Sequence, residues 1–127
     1  MQTQTKFILF IVLVVIVVGG VGTYFSFKPE EPSKLDGFAQ CLTDSGAKFY
    51  GAFWCAHCQD QKKDFGSAQK YIPYVECSTL DGQSQQQICK DKGIDGYPTW
   101  VFADGSNLTG KQPLETLADK TQCVLPQ

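Results

Sequence analysis

The longest pattern in the chain is an unbroken stretch of apolar residues and glycines at 7–22, which two phenylalanines and a tyrosine extend to residue 27. About 20 such residues in a helix cross the hydrocarbon core of a bilayer. A cleaved secretory signal has a shorter apolar part and a small-residue cleavage site, and no Ala-x-Ala pattern follows here. We therefore predict a transmembrane anchor in the lipid bilayer at residues 7–27, with a cleaved signal and a buried core helix as alternatives.

The charges that flank this stretch predict its orientation. Lys6 and the amino terminus precede it, whereas Lys28 after it is offset by Glu30 and Glu31. Because cations next to a span tend to stay in the cytoplasm, we predict that residues 1–6 are cytoplasmic and that the domain after the span is external.

Beyond the anchor, the pattern becomes that of a folded domain. The segment 28–33 (KPEEPS) contains two prolines and two glutamates, which is typical of a short, stiff linker. Residues 34–124 then switch between helical and strand periodicities. The predicted order is α-β-α-β-α-β-β-α, with helices near 35–46, 55–71 and 85–92 and from 113 onward, and strands near 47–54, 74–77, 99–103 and 106–108.

Local signals refine this order and predict the fold class. Gly66-Ser67 interrupts the second helix, as such pairs often do, and Pro73 stops it. Asp104-Gly105 is a turn signal between the last two strands. We expect parallel pairing of the strands that helices separate and antiparallel pairing of the final two. The fold class is therefore α/β, with a mixed central sheet flanked by helices.

Cysteine content and charge narrow the setting. All six cysteines follow the apolar stretch, and such a density is typical of an oxidising compartment. The net charge is −2 and all eleven basic residues are lysines. The chain thus offers neither a basic stripe nor an arginine fork for phosphate, and we expect no nucleic-acid partner.

The candidate reactive group is Cys55-Ala56-His57-Cys58, which follows an aromatic strand and opens a helix. Unpaired backbone N–H groups and the helix dipole at that position favour a thiolate on the first cysteine. The second cysteine, about one turn further along, can attack the first sulfur. This pattern predicts a disulfide-exchange site in which Cys55 is the nucleophile and Cys58 resolves the mixed disulfide.

Other interpretations of the motif stay open. We assign His57 to the catalytic group because its cation would favour the Cys55 thiolate and make the disulfide more oxidising; the alternative is a solvated helix residue. A zinc site would need Cys77 and Cys89, which lack the spacing of a second close pair. A structural Cys55–Cys58 disulfide would gain little entropy from so short a loop. A copper or zinc carrier using Cys55, His57 and Cys58 is a further alternative, but we predict no metal and no cofactor.

Two motifs together resemble the thioredoxin family: the strand that ends at Trp54 and runs into CAHC, and the later Gly96-Tyr97-Pro98-Thr99. The resemblance covers residues 34–123 and implies a thioredoxin-like fold, here after one transmembrane helix. It implies that Pro98 is cis and that the Tyr97 backbone hydrogen-bonds an extended substrate, which strand addition allows. An ordinary trans turn is the alternative. We assign Trp54, Tyr97 and Pro98 to substrate binding.

More narrowly, YGAFWCAHCQDQKKDFG, the pair Cys77 and Cys89, and IDGYPTW look like the thioredoxin-like domains associated with vitamin K epoxide reductase homologues. That resemblance implies protein thiols and disulfides as substrates and a quinone-linked membrane oxidoreductase as partner, whose effective concentration a tether would raise. The chain departs from the family at two positions. Phe49 stands where many thioredoxins hold a proton-accepting Asp, which leaves the proton route for Cys58 open, and Ala56 stands where relatives often carry Pro.

The other four cysteines are predicted to form two pairs. Cys77 ends a strand and Cys89 lies in the next helix, so a bond between them would close a short stabilising loop. The alternative is a second redox pair that exchanges with the first. Cys41, in the first helix of the domain, and Cys123, after the last, would form a structural disulfide joining the two ends. Sequence alone leaves this connectivity open.

Together these features predict a membrane-anchored, extracytoplasmic thiol–disulfide oxidoreductase that exchanges disulfides with protein thiols. The further cysteines favour the oxidising direction, in which electrons pass from folding substrates to the membrane partner. The alternatives are a reductase fed by a transmembrane electron donor and a non-catalytic binding module. Lys62 and Lys63, between Asp60 and Asp64, are interpreted as a solvated helix face.

Overall fold

The computed structural model describes residues 2–26 and 31–127, and the chain divides into two compact units, Met1–Glu31 and Pro32–Gln127. In the first unit, helix α1 runs over Gln2–Ser26. Its stretch Thr3–Tyr24 is long and apolar enough to cross a membrane, by length and composition. Met1 of the predicted cytoplasmic segment, residue 27 of the anchor and residues 28–30 of the linker lie outside the described residues.

The second unit has the predicted order of elements, with shorter boundaries than the sequence indicates. The helices are α2 (Asp36–Asp44), α3 (Ala56–Asp64), α4 (Gln87–Asp91) and α5 (Leu114–Thr121), with a 3₁₀ segment at Gly66–Tyr71; the strands are β1 (Lys48–Gly51), β2 (Tyr74–Glu76), β3 (Thr99–Val101) and β4 (Asn107–Thr109). The α/β class is confirmed.

The four strands form one mixed sheet in the order β2-β1-β3-β4. β1 and β2 are parallel, whereas β3 is antiparallel to both β1 and β4. The expected parallel pairing of all strands separated by helices is therefore wrong for β3, which lies on the far side of β1 from β2. β3 follows α4 in the chain but pairs with β1 and not with β2, so a helical connection alone does not predict a parallel neighbour.

Two elements end earlier than predicted. The strand expected at 47–54 stops at Gly51, because Phe53 and Trp54 are exposed aromatics in the following turn and not part of the core. The helix after Cys55 stops at Asp64, because Gly66 has a φ of +55°, in the left-handed region that favours glycine. The interruption predicted at Gly66-Ser67 is thus confirmed.

The main core packs α3 against the sheet. The Trp100 ring stacks on Phe49, with ring centroids 4.8 Å apart, and lies 6.3 Å from the Phe65 ring. Gln61, a buried polar residue of α3, accepts the Trp100 Nε1–H at 3.3 Å and the Gln112 backbone N–H at 2.7 Å. These contacts fix the helix that carries the reactive motif relative to the central strand.

Candidate active site

The reactive motif lies where β1 gives way to α3. After Gly51 the chain turns, and the Cys55 N–H donates to the Ala52 carbonyl at 3.0 Å. Cys55 then caps α3 in an extended conformation, and its carbonyl accepts the Gln59 N–H at 3.1 Å. Cys55 therefore stands at the amino-terminal, positive end of the dipole of α3.

Cys55 and Cys58 are both reduced thiols in this structure, but they differ in access. Cys55 keeps 8% of its surface exposed, whereas Cys58, on the first turn of α3, has none. Cys55 is thus the less buried of the two, the order that an attacking and a resolving cysteine require.

The environment of Cys58 opposes its ionisation. Burial raises the pKa of the Cys58 thiol to about 12, and its hydrogen bond with Cys55 acts in the same direction. A backbone hydrogen bond at Ala52 and the charge of Lys62 act against this rise in pKa. Cys58 is therefore protonated at neutral pH, and it must lose its proton to act as a nucleophile.

The second motif faces the pair across the site. The Cys55 Sγ donates to the Tyr97 carbonyl oxygen at 3.7 Å. The Tyr97–Pro98 peptide bond is cis, the isomer that the family resemblance implies, and Pro98 is fully buried. β3 begins at the next residue, so the sheet holds the Tyr97 carbonyl beside the reactive sulfur.

Trp54 and Tyr97 form one wall of the site. Their rings meet edge to face, with centroids 6.0 Å apart. The Trp54 Nε1–H donates to Ser78 Oγ at 2.9 Å, and the Tyr97 hydroxyl accepts from Gln85 Nε2 at 2.8 Å. Trp54 is nevertheless 56% exposed, so it can contact a bound partner; the substrate-binding role of both residues stays a prediction.

Exposed apolar groups that the sequence did not reveal lie in the turn before Cys55 and in the loop after β2. Phe53 is about half exposed and Leu80 is fully exposed. A Cβ built on Gly82 would lie 3.7 Å from the Phe53 ring and 3.6 Å from the Trp54 ring, so the loop backs both aromatics. The signal in the sequence is Leu80 itself, a lone leucine in a polar segment.

Glu76 holds the turn that precedes Cys55. Its Oε1 accepts the backbone N–H groups of Phe53 at 3.2 Å and Ser78 at 2.8 Å, and its Oε2 accepts the Tyr74 hydroxyl at 2.7 Å. The carboxylate thereby ties the end of β2 to the reactive turn. Nothing local in the sequence distinguishes Glu76 or Tyr74 from ordinary strand residues, because their contacts cross between elements.

The interpretation of Lys62 as a solvated residue is wrong. It is half-buried, and its Nζ lies 3.4 Å from the centroid of the Tyr74 ring. Its neighbour Lys63 is exposed as expected and pairs with Asp60 at 3.0 Å. Lys62 follows Cys58 by four residues, which places both on one face of α3. That spacing is the signal that distinguishes the two lysines.

His57 lies exposed on the first turn of α3, between the two cysteines. Its exposure suits either a cation that acts on an approaching partner or a solvated residue. Its assignment to the catalytic group stays a prediction.

The remaining cysteines form the disulfides Cys41–Cys123 and Cys77–Cys89, the pairs that the sequence favours. Cys77 and Cys89 have no exposed surface and pack in a small cluster with Tyr50. This burial favours a structural role over a second redox pair. Within residues 2–26 and 31–127, no group of three or more His, Cys, Asp or Glu side chains could hold a metal ion.

Comparison with known proteins finds relatives over the second unit. The thioredoxin family model matches residues 41–122, well over half of the chain. The thiol-disulfide oxidoreductase LTO1 of Arabidopsis thaliana is 43% identical over 93 residues, 70% of this chain and 24% of that protein. The probable protein disulfide-isomerase ER-60 of Schistosoma mansoni is 35% identical over 68 residues, 50% of this chain and 14% of that protein. The chain spans about a quarter or less of the length of these relatives.

Solved structures give similar matches. The thioredoxin of Malassezia sympodialis is 25% identical, with a TM-score of 0.42 over 61% of this chain and 72% of that one. A thioredoxin mutant of Halobacterium salinarum is 22% identical, with a TM-score of 0.42 over 69% of this chain and 86% of that one.

Proposed function

This chain belongs to the thioredoxin family, and on that premise we propose that it is a thiol–disulfide oxidoreductase acting on protein thiols and disulfides. The observation that carries the proposal is the asymmetric pair at the start of α3. Cys55 keeps a little exposed surface and its sulfur lies 3.7 Å from the Tyr97 carbonyl oxygen, while Cys58 is enclosed one turn behind it. The two relatives, a thiol-disulfide oxidoreductase and a probable protein disulfide-isomerase, support the same reaction class.

In the oxidising direction, a substrate thiolate attacks Cys55 in the Cys55–Cys58 disulfide. The bond between the cysteines breaks, Cys58 leaves as a thiolate and takes up a proton, and Cys55 holds a mixed disulfide. A second substrate thiolate then attacks the substrate sulfur and releases Cys55 as a thiolate. The substrate gains a disulfide, and the enzyme's cysteine pair keeps the two electrons.

In the reducing direction, the same steps run backwards. The Cys55 thiolate attacks a substrate disulfide, and one substrate thiolate leaves. Cys58 then attacks the Cys55 sulfur and expels the second substrate thiolate. Both directions pass through one mixed disulfide at Cys55, so trapping that species reports on the reaction whichever way electrons flow.

Substrate binding is proposed at Trp54, Tyr97 and Pro98. The Tyr97 backbone lies beside Cys55 at the start of β3, where an extended peptide could pair with it by strand addition. The exposed Trp54 indole would cover the side chains of such a peptide, since aromatic rings give large contact area at low entropic cost.

The proposed location is the external face of a membrane. The apolar stretch Thr3–Tyr24 of α1 is long enough to span a bilayer, and the flanking charges favour a cytoplasmic amino terminus at residues 1–6. On this proposal residues 7–27 are the anchor, 28–33 the linker and 34–124 the external thioredoxin-like domain.

The proposed partner is a quinone-linked membrane oxidoreductase of the vitamin K epoxide reductase type. This step rests on the sequence resemblance around CAHC and IDGYPTW. The oxidising direction is supported by the two disulfides that the domain itself carries, because such bonds persist in oxidising compartments.

The test of the reaction is a trap in the native host. In a Cys58→Ala variant the mixed disulfide at Cys55 has no resolving thiol, so we expect protein adducts on non-reducing gels that reductant releases. The double variant Cys55→Ser, Cys58→Ala is the matched control and should show none. Absence of adducts from Cys58→Ala would refute disulfide exchange. A membrane oxidoreductase among the adducts, captured when the Cys55 thiolate attacks its disulfide, would support the oxidising direction.

A further inference from the structure

Lys62 is a half-buried cation on the same face of α3 as Cys58, and the exchange steps above leave it without a role. We infer that Lys62 is a positioning residue of the resolving step: its ammonium group stabilises the thiolate that Cys58 becomes when it attacks the mixed disulfide. The inference rests on the proposed function, and it adds a residue to the site that the CAHC motif does not contain.

The geometry places three groups around one glycine. A Cβ built on Gly51 would lie 2.9 Å from Tyr74 Cε2 and 3.0 Å from Cys58 Sγ, so the tyrosine ring and the sulfur are within about 6 Å of each other. The Lys62 Nζ sits 3.4 Å from the centroid of that ring. The ammonium group and the thiol therefore both lie near the Tyr74 ring at the end of β1, and the charge of Lys62 acts on Cys58.

Among the charged and titratable groups around Cys58, Lys62 is the one whose charge would stabilise a Cys58 thiolate. From the reactive turn Cys55 faces Cys58, and its charge opposes a second thiolate. From β2, burial raises the pKa of the Tyr74 phenol, whose hydroxyl is already bound to Glu76, so this group stays neutral. Lys62 contributes the charge that lowers the pKa of Cys58.

Glu76 keeps this cation in the site. Burial lowers the pKa of the Lys62 ammonium group, while the charges of Glu76 and Cys58 act the other way. The Glu76 carboxylate, fixed by the Tyr74 hydroxyl and two backbone N–H groups, thus offsets part of the cost of burying Lys62. A cation over an aromatic ring gains further stabilisation where water is partly excluded.

The step that this arrangement assists is the second half of the reducing reaction. The Cys58 thiol gives its proton to water, and the resulting thiolate forms a bond to the Cys55 sulfur. The bond between Cys55 and the substrate sulfur breaks, and the substrate leaves as a thiolate with the electron pair. Position 49, where many thioredoxins carry a carboxylate that can accept the proton, is a buried Phe49 here. The cation acts differently, because it stabilises the thiolate that remains after the proton has left.

The size of the effect follows from thiol chemistry. Each unit by which the pKa of Cys58 rises lowers its thiolate fraction about tenfold at neutral pH. The more basic thiolate is intrinsically about threefold more reactive, since nucleophilicity rises with pKa with a coefficient of about 0.5. For a rise of one unit, these two effects combine to slow resolution about threefold.

The test is the reaction of the reduced full-length chain, in detergent, with an aromatic disulfide whose thiolate is coloured. Attack by Cys55 releases the first coloured thiolate, and resolution by Cys58 releases the second. In Lys62→Gln we expect the second phase to slow about threefold with the first phase unchanged, in a variant whose circular dichroism spectrum matches that of wild type. Lys62→Arg should restore the second phase to within about twofold.

Two measurements separate charge from structure. Lys63→Gln removes the exposed neighbouring cation and should leave both phases unchanged. In a Cys55→Ser background, a small alkylating reagent should modify Cys58 more slowly at about pH 7–8 in Lys62→Gln than with lysine or arginine present, because the cation raises the thiolate fraction at that pH. An unchanged alkylation rate, or an arginine variant as slow as glutamine, would overturn the inference. A wild-type chain with no first phase would refute the proposed function instead, and the alkylation rate would still decide the role of Lys62.

Discussion

At the residue scale, Gly51 is the glycine with least room for a side chain, because an added Cβ would meet both the Cys58 sulfur and the Tyr74 ring. We expect Gly51→Ala to lower the free energy of unfolding by about 1–3 kcal/mol, the usual cost of overpacking. The added methyl group must displace Tyr74 or Cys58, since its distances of 2.9 and 3.0 Å are below normal contact. Urea denaturation of the variant and the parent chain measures this difference.

Gly37→Ala is the matched control for Gly51→Ala. Gly37 lies within α2, and a Cβ there meets nothing within 4 Å. Since alanine favours a helix over glycine by roughly 0.5–1 kcal/mol, this variant should be neutral or more stable. Equal destabilisation by the two substitutions would contradict the crowding described at Gly51.

The buried Cys58 thiol makes the free energy of unfolding of the reduced protein decrease at alkaline pH. Burial raises the pKa of its thiol from 9.0 to about 12, so above pH 9 the unfolded chain releases a proton that the folded chain keeps. The stabilising contribution of this thiol is complete below about pH 9 and is lost as the pH rises towards 12. We expect reduced wild type to lose stability over this range faster than Cys58→Ala, as measured by urea denaturation at each pH. Parallel profiles for the two chains would contradict the raised pKa.

The sequence predicts the two cysteines of the motif but not the residues that surround them. Cys55 and Cys58 are recognisable because their spacing is local. Glu76 and Tyr74 act across the gap between β2 and the reactive turn, which no local pattern encodes. Lys62 does carry a local signal, its four-residue spacing from Cys58, but a charged helix residue is exposed far more often than buried.

At the element scale, local sequence signals predict the order of the helices and strands, but they do not predict how the strands pair. Turn residues such as Gly66 and Asp104-Gly105 mark the ends of elements, so the order of helices and strands is correct. The direction of β3 is not, because it depends on which strand lies beside it in the folded sheet. The early end of β1 has a related cause. Phe53 and Trp54 are aromatic residues of the kind that is common in buried strands, but here they lie exposed beside the site.

The two disulfides join elements over loops of different length, and this difference predicts their contributions. Cys77 and Cys89 are 12 residues apart, and Cys41 and Cys123 are 82 apart. On the chain-entropy estimate, replacing the first pair with alanine costs about 3 kcal/mol and replacing the second costs about 4.5 kcal/mol. Urea denaturation without reductant measures both, and the opposite order would show that native packing outweighs loop entropy.

The same variants test the structural role of Cys77 and Cys89. With this pair replaced by alanine, we expect the initial rate of disulfide exchange to stay within about twofold of wild type at a temperature where both proteins are folded. A variant that is folded yet loses most of its exchange activity would make the pair a second redox centre. The full burial of both sulfurs is the physical reason for expecting the first result.

At the scale of the whole molecule, the chain combines the apolar helix α1 with a mixed α/β domain. If residues 7–27 are an uncleaved anchor, the protein should remain in the membrane pellet after extraction with alkaline carbonate. Its mass should include the amino-terminal residues, and a membrane-impermeant thiol reagent should label Cys55 from outside intact, reduced cells. A shorter, soluble mature chain would show a cleaved signal, and labelling from the cytoplasmic side alone would reverse the orientation.

The bond between Cys41 and Cys123 has a consequence for this domain as a covalent object. Every described strand and both reactive motifs lie between these two cysteines, so that part of the molecule is a closed covalent ring. A protease that cuts the ring at one place opens it without releasing a fragment, and packing can hold the new ends together. A single surface cut within the ring would therefore leave one nicked molecule instead of two pieces.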